Sequence, residues 1–121
     1  MELHESSEDY LETILMLKER LGKVRSIDIA TDLGYSKPSI SIAMKKLREN
    51  GYIDMDEENY ITLTESGAKV AKRIYNRHQI LTKFLESFGV STRTAEEDAC
   101  KIEHDLSEES FRRIKEYLKN L

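Results

Sequence analysis

The stretch Gly34-Tyr35-Ser36-Lys37-Pro38-Ser39-Ile40-Ser41-Ile42-Ala43-Met44-Lys45-Lys46-Leu47-Arg48 decides how the rest of the chain is read. Ser36 has the side-chain oxygen of a helix N-cap, and Pro38 stands in the first turn, where its missing N–H is no loss. Ile40, Ala43, Met44 and Leu47 recur at spacings of three and four, so one face of the predicted helix is apolar. Lys37, Lys45, Lys46 and Arg48 make the same stretch basic, with no acid from Ser36 to Arg48. Asn50-Gly51 closes the helix. A short helix after Ser26, carrying Ile27, Ile29, Ala30 and Leu33, stops at Gly34. The link Gly34-Tyr35-Ser36 is then the brief glycine-containing turn of a helix-turn-helix.

Working outward, Tyr10, Leu11, Ile14, Leu17 and Leu21 predict a first helix over 5–21, with Ser6 or Ser7 as its cap and Gly22 as its stop. Downstream, Tyr52-Ile-Asp-Met55 and Tyr60-Ile-Thr-Leu63 flank the polar Asp56-Glu-Glu-Asn59, which predicts a β-hairpin. Helix, helix, turn, helix and hairpin in residues 5–64 form a winged helix-turn-helix layout. Such a layout places its third helix in the DNA major groove. The groove-facing set is then Ser36, Lys37, Pro38, Ser39, Ser41, Ile42, Lys45 and Lys46, with Pro38 and Ile42 suited to thymine methyls. The competing reading is a solvated basic helix face.

Thr64 caps a long helix predicted over 65–88, and Gly89 stops it. Thr94-Ala-Glu-Glu97 matches a capping box opening a fifth helix, and Ser107 caps a sixth that reaches Leu118. The fold class is mainly α: an N-terminal winged helix-turn-helix over 1–75, then a helical domain over 76–121, with the long helix connecting them.

Composition is consistent with this. The chain has 121 residues, 39% hydrophobic and 35% charged, with 7% aromatics, a single Pro and five Gly. That mix favours short solvated helices over a β-sandwich. No apolar run is long enough to span a membrane, so no membrane partner is expected. The acidic N-terminus is unlike a signal peptide, and one Cys cannot form an internal disulfide, so a reducing cytoplasm is the expected location. The net charge of −4 argues weakly against nucleic acid, but the basic Ser36–Arg48 stretch concentrates the positive charge where the motif needs it.

Three groups of potential metal ligands stand apart from this layout. Asp9 and Glu12 are three apart on the first helix and share a face. His78 lies in the later part of the long helix. Cys100, Glu103 and His104 are predicted on one side of the fifth helix. A thiolate, imidazoles and carboxylates in one place suit a transition metal. Taken singly, each group has a plainer reading: a buried Cys beside a surface ion-pair face, and His78 as an ordinary core or surface helix histidine.

Together with Glu8-Asp-Tyr-Leu-Glu12, Ser36-Lys-Pro-Ser-Ile-Ser41, Leu63-Thr-Glu-Ser-Gly67, Arg77-His78 and Ala99-Cys-Lys-Ile-Glu-His104, the chain resembles a known family along essentially its whole length. That family is the diphtheria-toxin-repressor and manganese-transport-repressor family of metal-dependent transcriptional regulators. The resemblance implies a homodimer on a pseudo-palindromic double-stranded DNA operator, repressing metal-uptake genes when a divalent metal binds. It implies Asp9, Glu12, His78, Cys100, Glu103 and His104 as the metal ligands. Ile80, Leu81, Phe84, Leu85, Ile102, Leu106, Phe111, Ile114, Tyr117 and Leu118 become the expected dimer core.

This sequence departs from the family pattern in informative places. Asp9 matches the manganese-sensing branch, while Cys100 matches the iron-sensing branch. The hard carboxylates favour Mn(II) and the soft thiolate favours Fe(II), with Co(II) or Zn(II) binding in vitro. Thr82 and Glu96 stand where the family often has Glu and the iron branch has His, so a second, ancillary site is not expected. Ile42 replaces a base-reading Gln, so the operator sequence differs. The SH3-like third domain of the longer iron regulators is expected to be absent.

The alternative is a winged-helix transcription factor that answers to an organic ligand or to thiol oxidation at Cys100. Catalysis is not expected: Cys100 and His104 could pair as nucleophile and base, but no glycine-rich oxyanion or phosphate loop accompanies them.

Overall fold

The computed structural model describes residues 5–121, and the Met1–His4 part of the acidic N-terminus lies outside the described residues. The element order is α1 (Glu5–Leu21), α2 (Ser26–Leu33), α3 (Lys37–Glu49), β1 (Ile53–Met55), β2 (Ile61–Leu63), α4 (Glu65–Glu86), α5 (Thr92–Ile102) and α6 (Glu108–Lys119). The chain divides into two compact units, with the break after Lys72, inside α4. No helix among the described residues is long and apolar enough to cross a membrane.

The N-terminal unit is a three-helix, two-strand winged helix. Its core is mainly aliphatic: Leu11, Ile14 and Leu17 of α1, Ile29 and Ala30 of α2, and Ile40, Met44 and Leu47 of α3 are buried together with Val24, Ile53, Ile61 and Ala71. Gly34 takes a left-handed φ of 73°, and its N–H donates to the Ala30 carbonyl at 2.9 Å, which ends α2 and turns the chain into α3. Ser36 caps α3 as expected, accepting from the Ser39 N–H at 3.3 Å. The hairpin pairs Ile53 with Leu63, Asp54 with Thr62 and Met55 with Ile61, antiparallel. Val24 adds an isolated bridge to Ile61 on the other edge of β2, where the Ile61 N–H donates to the Val24 carbonyl at 2.7 Å.

The entry into α4 is tightly built. Thr64 Oγ1 donates to the Gly51 carbonyl at 2.6 Å and accepts from the Gly67 N–H at 3.1 Å. A Cβ on Gly67 would fall 2.0 Å from the Tyr52 carbonyl oxygen, so the residue must be glycine for the helix to approach the wing this closely.

Several expectations from the sequence need correction. Ser6 and Ser7 lie inside α1, which is already helical at Glu5, so neither caps it. The long helix ends at Glu86, because tight bonds from Ser87 and Phe88 to the Phe84 and Leu85 carbonyls wind its last turn before Gly89. The capping box Thr94–Glu97 does not open α5. Ser91 does, accepting from the Thr94 N–H at 3.4 Å, so the helix begins two residues earlier than the expected cap. Ser107 caps α6, accepting from the Ser110 N–H at 3.1 Å.

The C-terminal unit packs Ile74 and Leu81 of α4, Ala95 and Ala99 of α5 and Phe111 of α6 into a smaller core. It also encloses Arg77, Thr82 and Glu103, as the N-terminal unit encloses Glu12 and Thr13. Leu81 and Phe111, expected at a dimer face, are thus within the unit itself. Ile80, Lys83, Lys115, Leu118 and Lys119 line one open groove between α4 and α6, and Phe84, Phe88, Arg113, Ile114 and Tyr117 line a second. Phe84 meets Phe88 edge-on at 4.7 Å and Tyr117 at 6.1 Å. Phe88 and Tyr117 remain more than half or half exposed, at 61% and 50%.

Candidate metal centre and nucleic-acid interface

Helix α3 displays what its sequence promised. Ile40, Met44 and Leu47 are buried, while Ser36, Lys37, Pro38, Ser39, Ser41, Ile42, Lys45, Lys46 and Arg48 are exposed. Ile42, a large aliphatic residue, is 60% exposed among them. Desolvating a lone isoleucine is favourable against a surface offering methyl groups, so its position among cations suits a base edge. A groove of about 200 Å³ beside this face is lined by Ser26, Ser41, Met44, Lys45, Arg48 and Met55. It joins the start of α2, the exposed side of α3 and β1 into one concave basic surface.

Two cations on this unit escaped the sequence reading. The extended Lys23-Val24-Arg25 segment runs beside β2, so Val24 points into the core and its two neighbours point out together. Lys23 Nζ and the Arg25 guanidinium lie 4.9 Å and 4.2 Å from the Tyr60 ring centroid. The alternation Lys-Val-Arg between a glycine and a helix start was the available signal, visible once Val24 is paired with β2.

The C-terminal unit builds its polar site around Glu103. The residue is wholly buried, and its Oε2 lies 2.9 Å from His78 Nδ1. Its Oε1 has no hydrogen-bond partner among the described residues and lies 3.4 Å from His104 Nε2. A ligand atom of Cys100 comes within 4.8 Å of one from Glu103. Imidazole nitrogens, a carboxylate and a thiol sulfur therefore converge from α4, α5 and the turn after α5. A buried carboxylate is costly without a compensating charge, and a cation would supply one. The donor set fits a divalent transition metal.

Glu103 and His104 are not on the fifth helix, contrary to the sequence expectation. Glu103 is the C-cap of α5, its N–H bonded to the Ala99 carbonyl at 3.0 Å, and the chain then turns through Asp105 and Leu106, both bonded to the Ile102 carbonyl at 3.2 Å. Arg77 braces this turn. Its buried guanidinium donates Nη1 to the carbonyls of Glu103 at 3.0 Å and Leu106 at 2.7 Å, serving carbonyls that a continuing helix would have bonded. Its Nη2 donates to Glu108 at the start of α6, and the Phe111 ring lies 5.0 Å from the guanidinium.

Asp9 and Glu12 occupy α1 in the N-terminal unit, Asp9 half-buried and Glu12 buried. Next to Asp9, the Tyr10 phenol is held above its usual pKa, chiefly by burial, then by Tyr35, which it meets edge-on at 6.3 Å, and by the Asp9 carboxylate. Thr82, where an ancillary ligand was not expected, turns its hydroxyl back on its own helix, donating to the His78 carbonyl at 2.7 Å.

Comparison with known proteins adds an independent line. Residues 2–60 match the family described as iron dependent repressor, N-terminal DNA binding domain, and residues 64–121 match iron dependent repressor, metal binding and dimerisation domain. An HTH-type transcriptional regulator of Methanocaldococcus jannaschii is 37% identical over 118 residues, covering 96% of this chain and 94% of its own. The HTH-type transcriptional regulator MntR of Bacillus subtilis is 38% identical over 109 residues, covering 90% of this chain and 77% of its own. Among solved structures, a manganese-dependent transcriptional repressor in complex with manganese superposes with a TM-score of 0.86 at 30% identity, over 93% of this chain and 52% of that one. The IdeR of T. acidophilum superposes with a TM-score of 0.83 at 26% identity, over 98% of this chain and 55% of that one. The chain spans about half the length of these two solved structures.

Proposed function

Because the chain belongs to the iron-dependent repressor family of metal-dependent transcriptional regulators, we propose that it is a Mn(II)- or Fe(II)-activated homodimeric repressor of metal-uptake genes, acting in the cytoplasm on a pseudo-palindromic operator. The N-terminal unit is the DNA-binding domain and the C-terminal unit the metal-binding and dimerisation domain. His78, Cys100, Glu103 and His104 hold the metal from the C-terminal unit, and Asp9 and Glu12 of α1 complete the set. The observation that carries the metal reading is the buried Glu103 carboxylate, one oxygen 2.9 Å from His78 Nδ1 and the other 3.4 Å from His104 Nε2. When bound, the metal supplies a fixed positive charge that holds carboxylates together which otherwise repel.

Ligands drawn from both units make the consequence mechanical. A cation shared between α1 and the C-terminal unit narrows the orientations open to the DNA-binding unit. A dimer so restricted presents two α3 helices to successive major grooves with less ordering left to do on the DNA. Ser36, Lys37, Pro38, Ser39, Ser41, Ile42, Lys45 and Lys46 face the operator, and Lys23, Arg25 and Arg48 add phosphate contacts around them. By linkage, operator DNA must tighten metal binding by the same factor that metal tightens DNA binding.

The test is operator binding by fluorescence anisotropy, without metal and with Mn(II), anaerobic Fe(II), Co(II) or Zn(II), paired with metal titrations with and without operator. The expected result is tighter DNA binding with Mn(II) or Fe(II) and an equal gain in metal affinity on DNA. Identical DNA affinity under every metal condition would overturn the reading and favour a winged-helix factor with another signal.

A further inference from the structure

Arg77 precedes the candidate ligand His78 on α4 and points into the same unit that carries Glu103 and His104. Its side chain is 5% exposed, yet it makes three hydrogen bonds to three different parts of that unit. The first goes to the backbone carbonyl of Glu103 itself, the second to the carbonyl of Leu106 at the far end of the turn, and the third to the carboxylate of Glu108, in the first turn of α6. Phe111, one turn further along α6, packs on the guanidinium. One planar cation therefore ties α4, the ligand-bearing turn and α6 together.

We propose that Arg77 is a positioning residue for the metal centre, fixing the backbone of Glu103 so that its carboxylate is already aimed at His78 before metal arrives. The inference rests on the metal reading above. Its chemistry is that of an outer support: Arg77 donates to the carbonyl of the residue whose carboxylate coordinates, and contributes no ligand atom. Buried guanidinium donors in a rigid fork hold two carbonyls and one carboxylate at fixed angles, a geometry that a lysine ammonium cannot reproduce. With the strap in place, Glu103 loses little freedom on binding metal. Without it, the turn from 103 to 106 has unsatisfied carbonyls and must be ordered by the metal itself.

The strap also gives the metal centre a route to α6, which bears Ile114, Tyr117 and Leu118 on the grooves beside α4. A turn that cannot shift without pulling Glu108 and Phe111 makes the start of α6 part of the same rigid body as the ligands.

The experiment is an anaerobic Co(II) titration of the full chain, reading ligand-field and thiolate-to-metal absorption, for the wild type, Arg77→Lys, Arg77→Met and Leu81→Ala. Leu81→Ala is the control for lost stability, since Leu81 is equally buried on the same helix without a polar role. All titrations run well below the melting temperatures of the variants. Arg77→Met is expected to weaken Co(II) binding about 10- to 100-fold and to change the band shape, the scale known for outer-shell partners of metal ligands. Arg77→Lys should recover part of the affinity, and Leu81→Ala should keep both the affinity and the wild-type spectrum.

Arg77 variants that bind like the wild type, or a Leu81→Ala that loses as much as Arg77→Met, overturn the proposal. If neither Arg77 variant folds, Glu108→Gln removes only the exposed end of the strap and is expected to weaken Co(II) about threefold; unchanged affinity there overturns the proposal as well. A wild type that binds no Co(II) at all overturns the metal reading on which the proposal stands, which is a different result from a wild type that binds and Arg77 variants that do not differ from it.

Discussion

The two units of this chain solve the problem of burial in opposite ways. The N-terminal unit encloses mostly aliphatic side chains, with Glu12 and Thr13 of α1 buried beside them, and turns its cations outward on α3 and beside the wing. The C-terminal unit encloses an arginine and a glutamate and leaves phenylalanine and tyrosine rings on its surface. A mainly aliphatic core contributes stability through burial, and a cationic exterior suits an anionic partner. A core containing buried charge, under an exterior with apolar grooves, is incomplete by itself. Buried ionic groups contribute little or nothing to stability unless every lone pair is used, and exposed aromatic grooves call for cover. The C-terminal unit is the one whose buried carboxylate lies against two imidazoles, the donor set of a metal site.

The largest effect that could break this contrast lies in the N-terminal unit. Gly67→Ala forces a Cβ onto the Tyr52 carbonyl, a backbone atom that cannot swing away. Chemical denaturation should show a loss of about 3 kcal/mol, the upper range for overpacking. A loss below about 1 kcal/mol would show that the junction of wing and α4 is looser than the close approach of Gly67 to Tyr52 requires.

In the C-terminal unit the corresponding change should move binding and leave the fold. Glu103→Gln keeps the shape of the side chain and removes its charge. Isothermal titration should show metal affinity falling at least about 100-fold, beyond the range typical of outer-shell changes. Circular dichroism of the metal-free protein should remain that of a folded helical chain. Unchanged metal affinity would mean that the Glu103 carboxylate is not a ligand.

The exposed aromatics give a third, smaller effect. Phe88→Ser should raise the dimer dissociation constant about tenfold in sedimentation equilibrium, as truncation of an aromatic interface anchor does. No change would place the dimer contact elsewhere than the Phe84–Phe88–Tyr117 groove. The smallest separates two readings of one helix start. Ser91→Ala should cost about 1 kcal/mol as a lost N-cap, and Thr94→Ala should cost less because Thr94 lies inside α5.

Most of the N-terminal unit was legible in the sequence, since its logic is local. Ser36, Pro38 and Asn50-Gly51 mark the ends of α3, and the Ile40–Met44–Leu47 spacing declares its buried side. Such signals act over a few residues and survive in any context that supplies an apolar neighbour. The start of α5 was misplaced because Ser91 and Thr94 both carry a capping oxygen, and only the backbone conformation chooses between them. Likewise Leu81 and Phe111 carry the same apolar signature as Ile80 and Ile114, and periodicity does not say which faces its own unit and which faces outward.

By itself the sequence determined the donor types, the element order and the basic face of α3, because these follow from residue chemistry and short-range spacing. The tertiary structure decided that Glu103 and His104 leave the helix, that the Glu103 carboxylate lies on His78, and that Arg77 holds the turn from below. Those contacts join residues 25 and more positions apart, and no local pattern encodes them. A helix of this composition could have run on through His104. It ends at Ile102, and Arg77 of α4 bonds the Glu103 and Leu106 carbonyls of the turn that follows.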